Sequence, residues 1–269
     1  MLHVSYRGKG PRLYAHPGGP GLSSREFAPD CGGIERCFEV GYVDPRGTGL
    51  SPRPSDASAY ALDDYVADLA ELIAEPSYVL GFSHGGLVAQ RFAARHPEKV
   101  RGLILASTAA RFSSDVDAAL QWKIEQSKSE PWLEDALAAL NQELTNDYRM
   151  DAELALILAR EMPLYFYRFG DAARRWVEII KSDPCNADAL RRFNEREFKT
   201  IDLRAELSDI RAKTVIVSGA NDFVCPPDAG REVHERIGGS TFVVIPNAGH
   251  MTFVEQPAAF YEAVSAVLK

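Results

Sequence analysis

Excess basic charge, long apolar runs and paired cysteines are all missing from this chain of 269 residues. The formal net charge is −8, so there is no basic stripe for nucleic acid and no polybasic segment for an acidic membrane surface. No stretch approaches the roughly 20 apolar residues of a membrane span, and the first ten residues lack the apolar run of a signal peptide. We therefore expect a cytoplasmic protein that binds neither nucleic acid nor membrane.

Cysteine is too sparse for a disulfide framework. The four cysteines have no CxxC spacing, and they are Cys31, Cys37, Cys185 and Cys225. At this chain length such a small number predicts free thiols. The sequence also has no low-complexity tract and no evident internal repeat, so a globular core is expected.

Strand-like and helix-like segments alternate near both ends of the chain. Short β-branched and apolar runs predict strands at 12–15, 38–43, 78–80, 103–105, 214–218 and 241–245. Helical spacing of apolar residues predicts a helix at 62–73 and a last helix opened by Pro257. This alternation is typical of an α/β protein with a parallel sheet.

The middle of the chain has a different character, because the strand signal disappears from about 109 to 210. We predict a core formed by 1–108 and 211–269, with 109–210 inserted as a helical cap. The first strand predicted along the chain is the one at 12–15.

A strand-to-turn-to-helix motif contains the candidate nucleophile. Ser83 is the centre of Gly81-Phe82-Ser83-His84-Gly85, which follows the strand at 78–80 and opens a helical stretch. Small neighbours are needed because the tight turn forces the serine backbone into a strained conformation. The hydroxyl is then presented at a helix N-terminus, where backbone N–H groups favour a forming oxyanion.

A serine hydroxyl needs a base, and the base needs an acid to hold it. His250 lies on the loop that follows the last predicted strand, and Asp222 lies on the loop after the strand at 214–218, so both are expected at the carboxyl edge of the sheet. The order serine, aspartate, histidine is the one expected for a G-x-S-x-G hydrolase. Asp228 and Asp44 are rivals for the acid, and Asp222 is preferred.

An oxyanion hole needs two backbone donors. The N–H of His84 is the first, and the glycine-rich loop at 16–21 supplies the second, which we assign to Gly19. The loop at 44–51 is interpreted as structural, with Asp44 bonding turn N–H groups and Arg46 paired.

With these motifs in order, the chain resembles the α/β-hydrolase superfamily and, within it, the proline iminopeptidase group. The resemblance rests on G-G-P-G at 18–21, D-x-R-G-x-G-x-S at 44–51, the turn at Ser83 and the loops of Asp222 and His250. It implies a mostly parallel sheet with helices on both faces, a helical cap over the active site, and no metal or organic cofactor.

Aminopeptidases of this group bind the free amino terminus of the substrate through acidic groups, some of them from the cap. By similarity of position, the resemblance implies Glu197, and after it Glu195, as substrate-binding residues. Another acid often follows the triad aspartate in that group, whereas Phe223 stands there in this chain.

The function predicted from the sequence is acyl transfer through Ser83, His250 and Asp222 on a small molecule or short peptide, with a proline iminopeptidase-like aminopeptidase preferred. A carboxylesterase, lactonase or carbon–carbon hydrolase could share this machinery. A non-catalytic ligand receptor on a hydrolase scaffold is the alternative from another class.

Overall fold

A computed structural model of the chain describes residues 1–28, 31–112, 115–183 and 185–268. Its centre is one seven-stranded sheet with the order β1-β3-β2-β4-β5-β6-β7. The strands are β1 His3–Gly8, β2 Arg12–His16, β3 Glu39–Asp44, β4 Ser77–Phe82, β5 Val100–Ala106, β6 Lys213–Gly219 and β7 Thr241–Ile245. Strand β1 pairs antiparallel with β3 and every other pair is parallel, as the predicted α/β fold class requires.

Helices cover both faces of the sheet. The helices are α1 Leu62–Leu72, α2 His84–Arg95, α3 Asp115–Gln126, α4 Leu133–Leu144, α5 Asp151–Glu161, α6 Asp171–Lys181, α7 Ala187–Arg196, α8 Pro227–His234, α9 Thr252–Glu255 and α10 Pro257–Ser265. Alternate strand residues belong to different apolar clusters: Ile104 packs in the cluster that contains Phe260 of α10, and Leu105 packs in the cluster that contains Val88 of α2. The side-chain period of two in a strand produces this division.

Helix α1 illustrates how the local sequence fixes an element. Leu62, Tyr65 and Leu69 recur on one face and are buried, as expected for an amphipathic helix. The Asp64 carboxylate accepts the N–H of Ala61 at 2.9 Å, which satisfies a donor at the helix start. The predicted helix at 62–73 is therefore confirmed to within one residue.

Five helices, α3 to α7, occupy the chain between β5 and β6. The two ends of this segment meet at the edge of the core, where Arg111 and Asp202 form an isolated antiparallel bridge. The N–H of Leu203 also donates to the carbonyl of Ala110 at 2.9 Å. A segment that leaves and returns at one place can be inserted without disturbing the order of the strands.

One strand was not predicted from the sequence. β1 occupies His3–Gly8, before the first predicted strand, and pairs along its whole length with β3. It is an edge strand, partly buried or exposed at every position, so it has no buried apolar run that a sequence pattern could reveal.

Two further observations concern cysteines and membranes. All four cysteines are free thiols, as predicted. None of the described helices combines the length and apolarity that a membrane crossing requires.

Candidate active site

The loops that follow β2, β4, β6 and β7 all lie at the carboxyl edge of the sheet, where α/β proteins build their sites. Ser83 stands in the turn between β4 and α2 with φ at 52°, a region that residues other than glycine rarely adopt. A Cβ added to Gly85 would collide with the carbonyl oxygens of His16 and Pro17, and one added to Gly81 would collide with that of Gly85. Crowding therefore explains both glycines of the motif.

Hydrogen bonds to the neighbouring strand hold the Ser83 backbone. Its N–H donates to the carbonyl of Ala106 at 3.0 Å, and the hydroxyl of Thr108 donates to its carbonyl at 2.8 Å. These two bonds offset the cost of the unusual backbone conformation.

Asp222 and His250 are paired. Asp222 Oδ2 lies 2.8 Å from Nδ1 of His250, and Oδ1 accepts the N–H groups of Val224 and Cys225 at 2.9 Å each. Both side chains are almost completely buried. The carboxylate is thus held on one side and presented to the imidazole on the other, which leaves Nε2 of the ring for a different partner.

The rival acids lie elsewhere. Asp228 is on α8, where its exposed carboxylate pairs with Arg231 at 3.4 Å. Asp44 accepts the N–H groups of Ser24 and Leu50 at 3.0 and 2.9 Å. The structural interpretation of the loop at 44–51 is confirmed.

The His250 loop is fixed from two sides. The N–H of His250 donates to the carbonyl of Tyr165 at 2.7 Å, and the N–H of Gly249 donates to Glu255 Oε2 at 2.6 Å. A Cβ on Gly249 would collide with the Tyr165 carbonyl. The helical segment between β5 and β6 therefore contacts the backbone that positions the imidazole.

A cavity of about 100 Å³ adjoins these residues, and we call it the Ser83 cavity. Ser83, His250 and Gly19 line it. His84 begins α2, so its backbone N–H is one of the donors that a helix start leaves without a helical partner. Apolar side chains form much of the remaining wall, among them Leu158, Met162, Trp176 and Leu190.

Three carboxyl groups also line the Ser83 cavity, and they come from Glu26, Glu143 and Glu161. Burial raises the pKa of Glu26 to about 8. Burial also raises the pKa of Glu143 and, assisted by the charge of Glu143, raises that of Glu161 well above its usual range. Burying a charged group without a partner costs free energy. The presence of three carboxyl groups in a largely apolar cavity therefore has to be explained by what they do there.

The two glutamates suggested by resemblance lie outside the Ser83 cavity. Glu197 accepts the N–H of Leu62 at 3.1 Å, at the start of α1, and Glu195 is exposed. The sequence analysis missed the three acids that do line the cavity. Glu26 lies ten residues after His16, and Glu143 and Glu161 lie on different helices, so no local motif joins them.

A larger open groove of about 670 Å³ lies beside the same loops. It is lined by Trp122, Trp132, Lys123 and Asn221, among others. Ser83 and His250 are not among the described residues that line it, so we take the Ser83 cavity as the candidate active site. The described residues also contain no group of three or more His, Cys, Asp or Glu side chains arranged to hold a metal ion.

Comparison with known proteins gives a consistent result for the fold. A family model described as the alpha/beta hydrolase fold matches residues 11–257. A solved structure titled as a hydrolase from Pseudomonas aeruginosa PA01 superposes with a TM-score of 0.73 at 25% identity, covering 99% of this chain and 94% of that one.

Two curated relatives carry functional names. A pimeloyl-[acyl-carrier protein] methyl ester esterase of Neisseria meningitidis is 30% identical over 226 residues, covering 83% of this chain and 80% of the relative. A proline iminopeptidase of Pestalotiopsis fici is 26% identical over 222 residues, covering 81% of this chain and 77% of the relative. The names agree on hydrolysis of an acyl bond and differ on the substrate.

Proposed function

The chain belongs to the alpha/beta hydrolase fold family and is a serine hydrolase of the esterase or peptidase kind, and we propose that it releases an acyl group that carries a free amino group, as an aminopeptidase does. The observation that carries this proposal is the pair of buried glutamates, Glu143 and Glu161, in the Ser83 cavity. The proline iminopeptidase among the relatives gives independent support.

The proposed reaction is acyl transfer in two steps. Ser83 Oγ attacks the carbonyl carbon while Nε2 of His250 accepts its proton, and the leaving amine then takes that proton. Water, deprotonated by the same imidazole, then attacks the acyl-enzyme, and the bond from the acyl group to Ser83 Oγ breaks as the imidazolium returns the proton to that oxygen. Asp222 holds the Nδ1 proton of His250 and stabilises the imidazolium.

Two backbone N–H groups, those of Gly19 and His84, are proposed to bind the oxyanion of each tetrahedral intermediate. Such a donor contributes about 3 to 4 kcal/mol to the transition state. Gly19 has φ at 103° and lines the Ser83 cavity, so its backbone can approach a reacting carbonyl closely.

A substrate ammonium group would be a suitable partner for the two buried glutamates. Glu161 Oε1 accepts a hydrogen bond from the Tyr165 hydroxyl at 3.3 Å, whereas the buried Oε2 has no hydrogen-bond partner among the described residues. Glu143 Oε1 accepts from the side-chain amide of Asn194 at 3.0 Å. A cation between the two carboxyl groups would supply hydrogen-bond donors and offset the cost of burying negative charge.

Residues 109–210 are proposed to act as a cap that supplies this cation site. Glu143 and Glu161 both belong to that segment, on α4 and α5, whereas Ser83, Asp222 and His250 lie on the sheet loops. Chemistry on one part and substrate selection on the other would explain how one scaffold serves both esterases and peptidases.

A carboxylesterase is the second candidate. It is favoured by the esterase name of a relative 30% identical to this chain and by the apolar part of the cavity wall. In that case the glutamates would be neutral and would donate hydrogen bonds to oxygen atoms of an uncharged substrate.

A matched pair of amides separates the two candidates. We expect proline p-nitroanilide to be cleaved with at least a hundredfold higher kcat/KM than N-acetylproline p-nitroanilide, because acetylation removes the cation. In Glu161→Gln, kcat/KM should fall at least tenfold more on proline p-nitroanilide than on p-nitrophenyl acetate, since loss of a buried charge pair costs several kcal/mol.

Glu195→Gln is the matched control, because its exposed side chain should not affect this ratio. Equal loss on both substrates in Glu161→Gln would contradict the ammonium site. Rapid cleavage of the ester with no cleavage of either amide would favour the carboxylesterase.

A further inference from the structure

Glu26 is a buried acid of the core that the proposed reaction does not use. It lies in a single turn of 3-10 helix at Ser24–Phe27, and its backbone carbonyl accepts the indole N–H of Trp176 at 2.8 Å. Phe27 packs against Phe82 and Phe253. The side chain therefore extends from a well-anchored backbone.

The Glu26 carboxyl lies beside the oxyanion loop and the serine. Oε2 accepts the N–H of Gly18 at 2.6 Å, one residue before the proposed oxyanion donor Gly19. A Cβ placed on Gly18 would lie 3.1 Å from Ser83 Cβ and 3.2 Å from Glu26 Oε2. Gly18 therefore lies between the Glu26 carboxyl and the Ser83 side chain and is close to both.

On balance the surroundings of Glu26 disfavour a negative charge. The side chain is buried, and no Lys or Arg is paired with it in the described part of the chain. The Gly18 N–H favours the charged form, but burial outweighs it, and Asp183, whose carboxylate accepts the Ser23 hydroxyl, adds a like charge to the environment. Other titratable groups near it are Glu143, Glu161, Tyr165 and His250 in the cavity wall and Cys185 beyond it.

We propose that Glu26 is a positioning residue that works as a neutral carboxylic acid: it orients the Gly18–Gly19 backbone for oxyanion binding, and its ionisation stops efficient acyl transfer. The inference rests on the proposed reaction at Ser83 but does not depend on whether the substrate is an amide or an ester.

The physical reason is the sign of the charge that develops in the reaction. The tetrahedral intermediate places a negative oxygen at the Gly19 and His84 N–H groups, and an ionised carboxylate beside that loop would repel it in a site of low dielectric constant. Burial raises the pKa of Glu26 to about 8, so the neutral form predominates at pH 7 and is lost as the pH rises through that value.

The test uses p-nitrophenyl acetate, which carries no amine that could titrate. For one ionisation near pH 8, the ratio of kcat/KM at pH 9 to that at pH 7 is expected to be about 0.1 in the wild type. Glu26→Gln keeps an acceptor for the Gly18 N–H but cannot ionise, so its ratio should be close to 1, with a lower kcat at pH 7. Glu262→Gln, which removes an exposed acid on α10, is the matched control and should keep the wild-type ratio.

An alkaline loss in Glu26→Gln equal to that of the wild type would overturn the proposal. So would a Glu26→Gln protein that folds, as judged by circular dichroism, and is inactive at every pH, because the charged form would then be the required one. Failure of the Ser83 reaction itself is distinguishable, since Ser83→Ala would then retain full esterase activity.

Thermal unfolding gives a second readout that does not need activity. The folded state keeps the Glu26 proton to higher pH than the unfolded state, so this group makes stability fall from about pH 4.5 up to about pH 8. The Tm of the wild type should therefore decline more over that range than the Tm of Glu26→Gln. Parallel declines would contradict a neutral native Glu26.

Discussion

At the scale of single residues, sterics and chemistry make separate demands on the turn around Ser83. The serine is required by the proposed chemistry, whereas Gly81 and Gly85 are required by the carbonyl groups that crowd them. A substitution at a glycine therefore tests the geometry of the turn without altering a reacting group.

Gly85→Ala should be severely destabilising. Its Cβ would collide with the carbonyl oxygens of His16 and Pro17, and backbone atoms cannot move aside as a side chain can. We expect a loss of about 3 kcal/mol in the free energy of unfolding, measured by urea denaturation, with matching loss of activity. Gly238→Ala is the control, because a Cβ there meets open space. Equal stability of the two variants would show that the turn is not crowded.

Sequence patterns identified Asp222 and His250 but not the three glutamates that line the Ser83 cavity. Asp222 and His250 could be paired from their positions because each lies on the loop that follows a strand, and parallel strands end at a common edge. Glu26, Glu143 and Glu161 meet only through the packing of a core loop against two helices, which no local spacing records. Glu195 and Glu197 were chosen by similarity of position alone.

At the scale of elements, the contact between α7 and the core depends on Asn186. Its side-chain amide donates to the Gly47 carbonyl at 3.0 Å and to the Tyr60 hydroxyl at 2.9 Å, and its N–H donates to the carbonyl of Gly21 at 2.8 Å. Its side-chain oxygen accepts N–H groups at the start of α7. One buried residue therefore both caps a helix and ties the helical segment to the glycine-rich loop of the core.

Asn186→Asp keeps the oxygen that caps α7 but replaces the amide donors by a charged carboxylate oxygen. The half-buried carbonyl of Gly47 would lose its donor and would face a negative charge, and a buried group left unsatisfied costs about 1 to 3 kcal/mol. We expect a lower Tm and a lower kcat/KM, measured on the same purified protein. The control Asn141→Asp makes the same change at an exposed position of α4 and should change the Tm little. A wild-type Tm for Asn186→Asp would contradict the role assigned to this residue.

The predicted elements of the sheet were found where strands are buried and missed where one is exposed. Strands β2 to β7 contain the apolar runs identified in the sequence, although their observed ends differ by up to three residues. Strand β1 is held by backbone pairing with β3 and exposes much of Tyr6. Pairing of this kind depends on the partner strand, so the segment's own sequence gives little sign of it.

At the scale of the whole molecule, the position of the acidic groups matters more than their number. The chain has a net charge of −8, yet its most unusual acids are inside, in a cavity beside the proposed nucleophile. Two of them are assigned to substrate recognition and one to the oxyanion loop. The fold alone, shared with an esterase and a peptidase, does not decide between those substrates, whereas the proposed ammonium site at Glu143 and Glu161 would favour the peptidase.

The central claim is that Ser83 is the nucleophile and is activated by His250 and Asp222. A fluorophosphonate reacts covalently with an activated serine, so intact-mass measurement followed by peptide mapping tests the claim directly. We predict one adduct per chain, located on Ser83, absent in Ser83→Ala and formed far more slowly in Asp222→Asn. An adduct on another residue, or equal labelling of Ser83→Ala, would contradict it.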